Sequence, residues 1–260
     1  MRLALVSLDQ VWEDKQSNLT LCEEYIRKAS NEKVDLIVFP EMTLTGFSNN
    51  INLTAEHKED STTIKLFSEL SEKYSLAIVF GVVIQDGKKA LNKSILIDTS
   101  GKVGGEYSKV HPFSFAGEDK YFNSGHQLCI VNFNHMKIGL SICYDLRFPE
   151  LYSALAEKSD LVVNIANWPA KRIDHWNTLL KARAIENQVY MAGVNRVGKD
   201  ANGLEYIESS SLFNANGELL EHKQIDNMKI YEVDKTWTKK FKEQFNTTDD
   251  RKIDFYKEIL

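Results

Sequence analysis

Cysteine is scarce: the 260-residue chain has three, Cys22, Cys129 and Cys143, an odd number with no two closely spaced. That excludes a disulfide framework and a zinc pattern, and points to reduced thiols in a reducing compartment. A chain of this length can bury most of its apolar surface and needs no such staple. No HxH, HxxxH or CxxC spacing occurs among the six histidines and three cysteines, and no GxGxxG or phosphate-loop motif is present. Neither a metal nor a cofactor is therefore expected. Long apolar runs are also missing. No stretch approaches the roughly 20 residues of a membrane helix. The apolar part of MRLALVSLDQVWEDKQSN is too short for a signal peptide. Basic residues form no stripe: 32 Lys and Arg lie scattered among 37 Asp and Glu, for a net charge of −5. A nucleic-acid partner is thus not expected. A soluble, cytoplasmic protein is the expectation. Low-complexity linkers and internal repeats are absent too.

What remains is ordinary globular composition, with 43% hydrophobic and 27% charged residues. RLALVSL (2–8) reads as a strand, and Leu19, Cys22, Ile26 and Ala29 recur at helical spacing. VDLIVFP (34–40) is an apolar run of the buried-strand type. Ile64, Phe67, Leu70 and Tyr74 mark a second helix. LAIVFGVVI (76–84) and LNKSILID (91–98) flank Asp86-Gly87, a hairpin signal. Strands follow at 128–134, 137–143, 161–166 and 189–195, with helices over 148–158 and 174–188. Two last strands, near 208–213 and 229–233, precede a C-terminal helix. Strands and helices mix throughout, so one α/β domain over 1–260 is the simplest solution. Its strands are apolar on both faces and must be covered on both sides.

Three segments put a reactive side chain at the end of such a strand. Glu41 follows VDLIVFP, Lys109 comes just after the extended piece 103–107, and Cys143 ends KIGLSIC shortly before a helix. Ligands collect at strand ends in α/β sheets. A Cys at a strand-to-helix turn lies near backbone N–H groups and a positive helix end; both lower its thiol pKa and can hold an oxyanion. Each residue also has an ordinary reading. Glu41 can be a surface carboxylate, Lys109 a solvated lysine, and Cys143 a small buried hydrophobe. His111 or His175 could serve a Cys-His peptidase or acyltransferase. Gly104-Gly105 reads as a turn before Lys109 and nothing more.

The contexts are more specific. FPEM, SKVHPF and CYDLRFPEL resemble, in order, the three signature segments of the nitrilase (carbon–nitrogen hydrolase) superfamily. The resemblance continues through AGEDKYFNSG (116–125), NIANWPAKR (164–172), ARAIENQVYMAGVNRVG (182–198) and NANGELL (214–220). It implies a four-layer α-β-β-α sandwich with its site at strand ends, and a homodimer or larger assembly. A C-terminal tail (about 234–260) would pack on its own chain or a partner; Trp237, Phe241 and Phe245 form its apolar stripe. It also implies a catalytic triad of Glu41, Lys109 and Cys143, with Glu118 as a second carboxylate. Tyr144-Asp145 replaces the Trp and Glu of true nitrilases and matches the amidase branches. With ANWP and ARAIENQ, it looks most like the ω-amidase group, which hydrolyses the terminal amide of 2-oxoglutaramate and 2-oxosuccinamate. Deaminated-glutathione amidase shares much of the signature. An inactive binding protein on this fold is the alternative from another class, and the filled triad argues against it.

Under that resemblance Cys143 attacks the amide, Glu41 moves the protons, and Lys109 with the Tyr144 N–H faces the oxyanion. Glu118 either orients Lys109 or the substrate, or merely neutralises Lys109. A keto-acid substrate needs a cation, and Arg172 and Arg147 are the candidates. Arg147 can equally be a structural ion pair with Asp145 or Glu150. Asn167 and Trp168 are expected to line the pocket.

Overall fold

A computed structural model describes residues 1–259. The first half runs β1 (Arg2–Val6), α1 (Lys15–Asn31), β2 (Leu36–Val38), α2 (Ile51–Thr54), α3 (Thr62–Tyr74), β3 (Ala77–Asp86), β4 (Lys89–Ile97) and β5 (Val103–Ser108). Then come α4 (Glu118–Tyr121), β6 (Ile130–Phe133), β7 (Met136–Ile142), α5 (Pro149–Ala156), β8 (Leu161–Ala166), α6 (Ile173–Asn187) and β9 (Tyr190–Asn195). The chain ends with β10 (Gly198–Lys199), β11 (Glu205–Tyr206), β12 (Ser211–Phe213), β13 (Lys223–Ile225), β14 (Met228–Glu232), α7 (Trp237–Gln244) and α8 (Ile253–Ile259).

Two sheets carry the fold. One has the order β13-β14-β1-β2-β3-β4-β5, the other β12-β9-β8-β7-β6. The central pairs β1–β2, β2–β3, β7–β8 and β8–β9 are parallel, which buries both faces of these strands. Alternation along each strand then supplies two cores. Leu3, Leu5, Leu36, Val38, Ala77 and Val79 point to the second sheet and join its Ile138, Leu140 and Val163. Ala4, Val6, Ile37, Ile78 and Phe80 point the other way, under Cys22, Ile26 and Phe67 of α1 and α3. Helices α5 and α6 cover the far side of the smaller sheet. The layering is thus α-β-β-α, as expected. Among the described residues no helix is long and apolar enough to cross a membrane.

Two local expectations change. Gly104 and Gly105 lie inside β5 rather than in a turn. A Cβ on Gly105 would come within 2.3 Å of Val131 Cγ2, so these glycines let β5 approach β6. The C-terminal helix is two helices. The first packs on its own chain: Trp237 lies 5.9 Å from the Tyr190 ring, and Gln188 Nε2 donates to Phe245 O at 2.6 Å.

Candidate active site

Glu41 sits in a tight turn after β2, where Met42 adopts φ 46°. The turn is pinned from three sides. Thr43 Oγ1 donates to Pro40 O (2.7 Å) and accepts from the Gly81 N–H (2.8 Å). Gln10 Nε2 lies within 3.1 Å of the carbonyls of Glu41, Met42 and Thr43. A Cβ on Gly81 would fall 2.3 Å from Met42 N, so only glycine leaves room. Lys109 follows β5; its N–H donates to Asn92 O at 2.9 Å and its carbonyl accepts from the Gly125 N–H at 2.8 Å.

Cys143 follows β7 in the left-handed region, φ 45°, a conformation that is uncommon for a side-chain-bearing residue. It opens a 3₁₀ turn, Cys143–Arg147, rather than a long helix. Buried Asp145 holds this turn. Its carboxylate accepts from Tyr107 Oη (2.8 Å), the His111 N–H (3.0 Å) and the Ile142 N–H (3.1 Å), and meets His111 Nδ1 at 2.8 Å. Arg183 donates twice to Leu146 O, at 3.1 and 2.8 Å. The His111 ring also stacks on Phe148 at 3.7 Å, and His175 lies beside Arg147 at 3.2 Å. His111 is therefore engaged in holding the framework and His175 is exposed beside Arg147; among the described residues neither ring bonds Cys143.

Glu41, Lys109 and Glu118 form one buried cluster. Lys109 Nζ is 2.9 Å from Glu41 Oε1 and 3.1 and 2.8 Å from the two oxygens of Glu118. Asn92 Nδ2 donates to Glu41 Oε1 (2.7 Å) and Glu118 Oε1 (3.1 Å). The Asn167 N–H reaches Glu41 Oε2 at 3.0 Å, and Asn167 O lies 4.0 Å from Cys143 Sγ. Glu118 Oε2 also accepts from the Phe113 N–H. Burial pulls the Lys109 ammonium down, but Glu118, Glu41 and Cys143 outweigh it and hold it above its ordinary value. Burial, then Glu41, pushes the Cys143 thiol well above its usual range, while Lys109 pulls it down. This corrects the expectation of a lowered thiol pKa: desolvation outweighs the turn geometry. The cluster thus brings a thiol, two carboxyl groups and an ammonium around one point.

A pocket opens onto Cys143 and Lys109. Tyr144, Asn167, Trp168, Arg147 and Arg172 line it, together with Phe47, Phe113, Leu204 and Tyr206. Arg147 makes no ion pair with Asp145 or Glu150, against the structural alternative. Asp145 is occupied by His111, and the Arg147 guanidinium lies over the rings of Trp168 (4.8 Å) and Tyr144 (5.9 Å). Arg172 lies 5.5 Å from the Phe113 ring. Among the described residues neither guanidinium has a carboxylate partner within 4.0 Å, and no group of three or more His, Cys, Asp or Glu is placed to hold a metal.

Comparison with known proteins gives the family. The carbon-nitrogen hydrolase family model matches residues 2–237. The chain belongs to the carbon–nitrogen hydrolase family. This hydrolase acts on carbon–nitrogen bonds other than peptide bonds. It is 36% identical to the omega-amidase YafV of Yersinia enterocolitica over 84% of this chain and 83% of that protein. It is 29% identical to the 2-oxoglutaramate amidase of Bacillus subtilis over 98% of both chains. Among solved structures, XC1258 of Xanthomonas campestris, a CN-hydrolase superfamily protein with an arsenic adduct in its active site, superposes with a TM-score of 0.88. Identity to it is 27%, over 96% of this chain and 97% of that one.

Several residues around the candidate site escaped the sequence reading: Asn92, Gln10, Phe47, Phe113 and Tyr206. Asn92 left one trace. It is a polar residue facing inward, 1% exposed, from a strand whose other inward positions are largely apolar. The others bear no local signal, because distant segments bring them together.

Proposed function

We propose that the chain is an amidase that hydrolyses the terminal amide of a small carboxylic-acid amide, of the 2-oxoglutaramate or 2-oxosuccinamate type, to acid and ammonia. One observation carries this reading: the pocket that opens onto Cys143 and Lys109 is lined by two guanidiniums that have no carboxylate partner within 4.0 Å among the described residues. An anionic group on the substrate would meet them, since an Arg fork suits both oxygens of a carboxylate. The names of the relatives above support the same class.

In this reading Cys143 Sγ attacks the amide carbon as Glu41 takes the thiol proton. The tetrahedral oxyanion faces Lys109 and the Tyr144 N–H. Three carboxylate oxygens surround the ammonium, so with one hydrogen shared between the two oxygens of Glu118 the third is left for the oxyanion. Glu41 then gives its proton to the departing nitrogen as the C–N bond breaks, releasing ammonia and leaving a thioester. Water attacks the thioester, Glu41 takes a proton from it, and the C–S bond breaks as the proton returns to sulfur. Glu118 orients Lys109 through both its oxygens.

The test is ammonia release from a panel of 2-oxoglutaramate, 2-oxosuccinamate, deaminated glutathione, glutamine, N-carbamoyl-β-alanine and a simple nitrile. The small keto-acid amides are expected to lead. Strong preference for deaminated glutathione would overturn the substrate assignment and leave the amidase reading standing. Cys143→Ala should abolish turnover with the fold intact. A variant retaining a tenth of wild-type kcat would refute the covalent route.

A further inference from the structure

Four atoms form a closed ring in the buried cluster. Asn92 Nδ2 and Lys109 Nζ each contact both Glu41 Oε1 and Glu118 Oε1, at 2.7 and 3.1 Å for the amide and 2.9 and 3.1 Å for the ammonium. Donor and acceptor alternate around it. Two carboxylates and one ammonium leave a net negative charge in a buried site, and like charges this close repel strongly. The carboxamide offers a second bridge between them without adding charge. A second cation there would add a full charge to the cluster, and an apolar side chain would leave the two acids facing each other.

The amide orientation is fixed by the same contacts. Reversed, its oxygen would sit against two carboxylate oxygens. As placed, Asn92 Oδ1 is buried with no partner among the described residues. A carboxamide left half satisfied in a buried site marks the N–H side as the one that matters. The backbone of Asn92 adds a further tie, since its carbonyl accepts the Lys109 N–H at 2.9 Å.

We propose that Asn92 is a positioning residue for the hydrolysis, bridging Glu41 and Glu118 from the side opposite Lys109 and keeping Glu41 aimed as the base. It acts through Glu41 and touches no substrate atom. The assignment rests on Glu41 being the base, as proposed above. The charged or titratable groups that face Glu41 are Lys109 after β5, Glu118 on α4 and Cys143 after β7.

The experiment follows ammonia release from 2-oxoglutaramate against pH in the wild type, Asn92→Leu, Asn92→Asp and Glu41→Gln. A carboxylate that loses a hydrogen-bond donor takes up a proton more readily. The acid limb of kcat/KM in Asn92→Leu should therefore move to higher pH by about one unit, the scale of one charge-assisted bond. Its kcat should fall by roughly 10- to 100-fold with KM within about threefold. Asn92→Asp has the same shape but adds a third carboxyl, and should move the limb further. An unshifted limb with a uniform loss of rate, or a loss confined to KM, would overturn the assignment. Failure of both variants to fold, read by circular dichroism, would also overturn it by placing Asn92 in the framework alone. Glu41→Gln separates the two readings. If it still hydrolyses the amide, the base assignment fails and this one with it. If it is inactive while the Asn92 limbs stay in place, only the positioning role fails.

Discussion

Burial and the Glu41 carboxylate push the Cys143 thiol up, and the Lys109 ammonium pulls it down, so its reactivity can be separated from turnover. Removing a negative neighbour favours the thiolate. Glu41→Gln should therefore shift the pH dependence of Cys143 alkylation by iodoacetamide to lower pH, even as hydrolysis is lost. Lys109→Gln removes the cation and should shift it to higher pH, with kcat down by at least about 10²-fold, the scale of a lost oxyanion donor. Mass spectrometry of the alkylated peptide reads both. Equal shifts in one direction would mean that neighbouring charge does not govern the thiol. The pocket arginines are separable in the same way. Trp168 Nε1 donates to the backbone carbonyl of Arg172 at 2.8 Å, a bond that survives any side chain there. Arg172→Met should accordingly leave the pocket wall standing and raise KM for 2-oxoglutaramate by about 10²-fold, with little effect on a neutral amide of similar length. Equal weakening of both would make Arg172 a scaffold residue, and no change would pass the carboxylate to Arg147.

At the scale of elements, the regular strands and helices were legible because their period reports burial on one or both faces. LVVNIA (161–166) reads as a strand and is β8 residue for residue, and the helix expected at 174–188 is α6 at Ile173–Asn187. What escaped was irregular. Apolar VDLIVFP narrows to Leu36–Val38, because the chain must leave the sheet early to form the turn that aims Glu41. That turn, the left-handed Cys143 and the Asp145 bonds under it depend on partners far along the chain, such as Gln10 and Tyr107. Sequence offered the candidate reactive residues by resemblance; it had no means to show what orients them. Gly81 tests the point. It is buried in mid-strand, away from the pocket lining, yet a Cβ there would displace the Glu41–Met42 backbone. Gly81→Ala should lower kcat by about 10-fold or more with little change in KM, since small misplacement of a reacting group is costly. Wild-type kcat in this variant would show that the turn yields without moving Glu41.

At the scale of the whole molecule, the tail has two parts that differ in exposure. Helix α7 belongs to its own chain. Trp237 stacks on Phe241 at 5.1 Å and meets Tyr190, and the Gln188 carboxamide bonds Phe245 O and the Thr247 N–H. Helix α8 is different: Ile253, Phe255, Tyr256 and Ile259 are 41–61% exposed, more apolar surface than one short helix ordinarily leaves in water. We propose that the chain assembles as a homodimer or larger, with α8 contributing to the contact. Two truncations distinguish the roles. Deleting residues 248–260 should lower the mass seen by light scattering at micromolar concentration from a dimer or larger to one chain. The thermal midpoint at a concentration where both forms are monomeric should barely change. Deleting 237–260 should in addition lower that midpoint by several degrees, because Tyr190 and Gln188 lose their cover and each 1 kcal/mol is worth about 2–4 °C in a chain of this size. A wild type that scatters as a single chain would refute the assembly. An unchanged mass after the shorter deletion would instead move the contact to another face, leaving the α7 prediction to stand on the thermal midpoint alone.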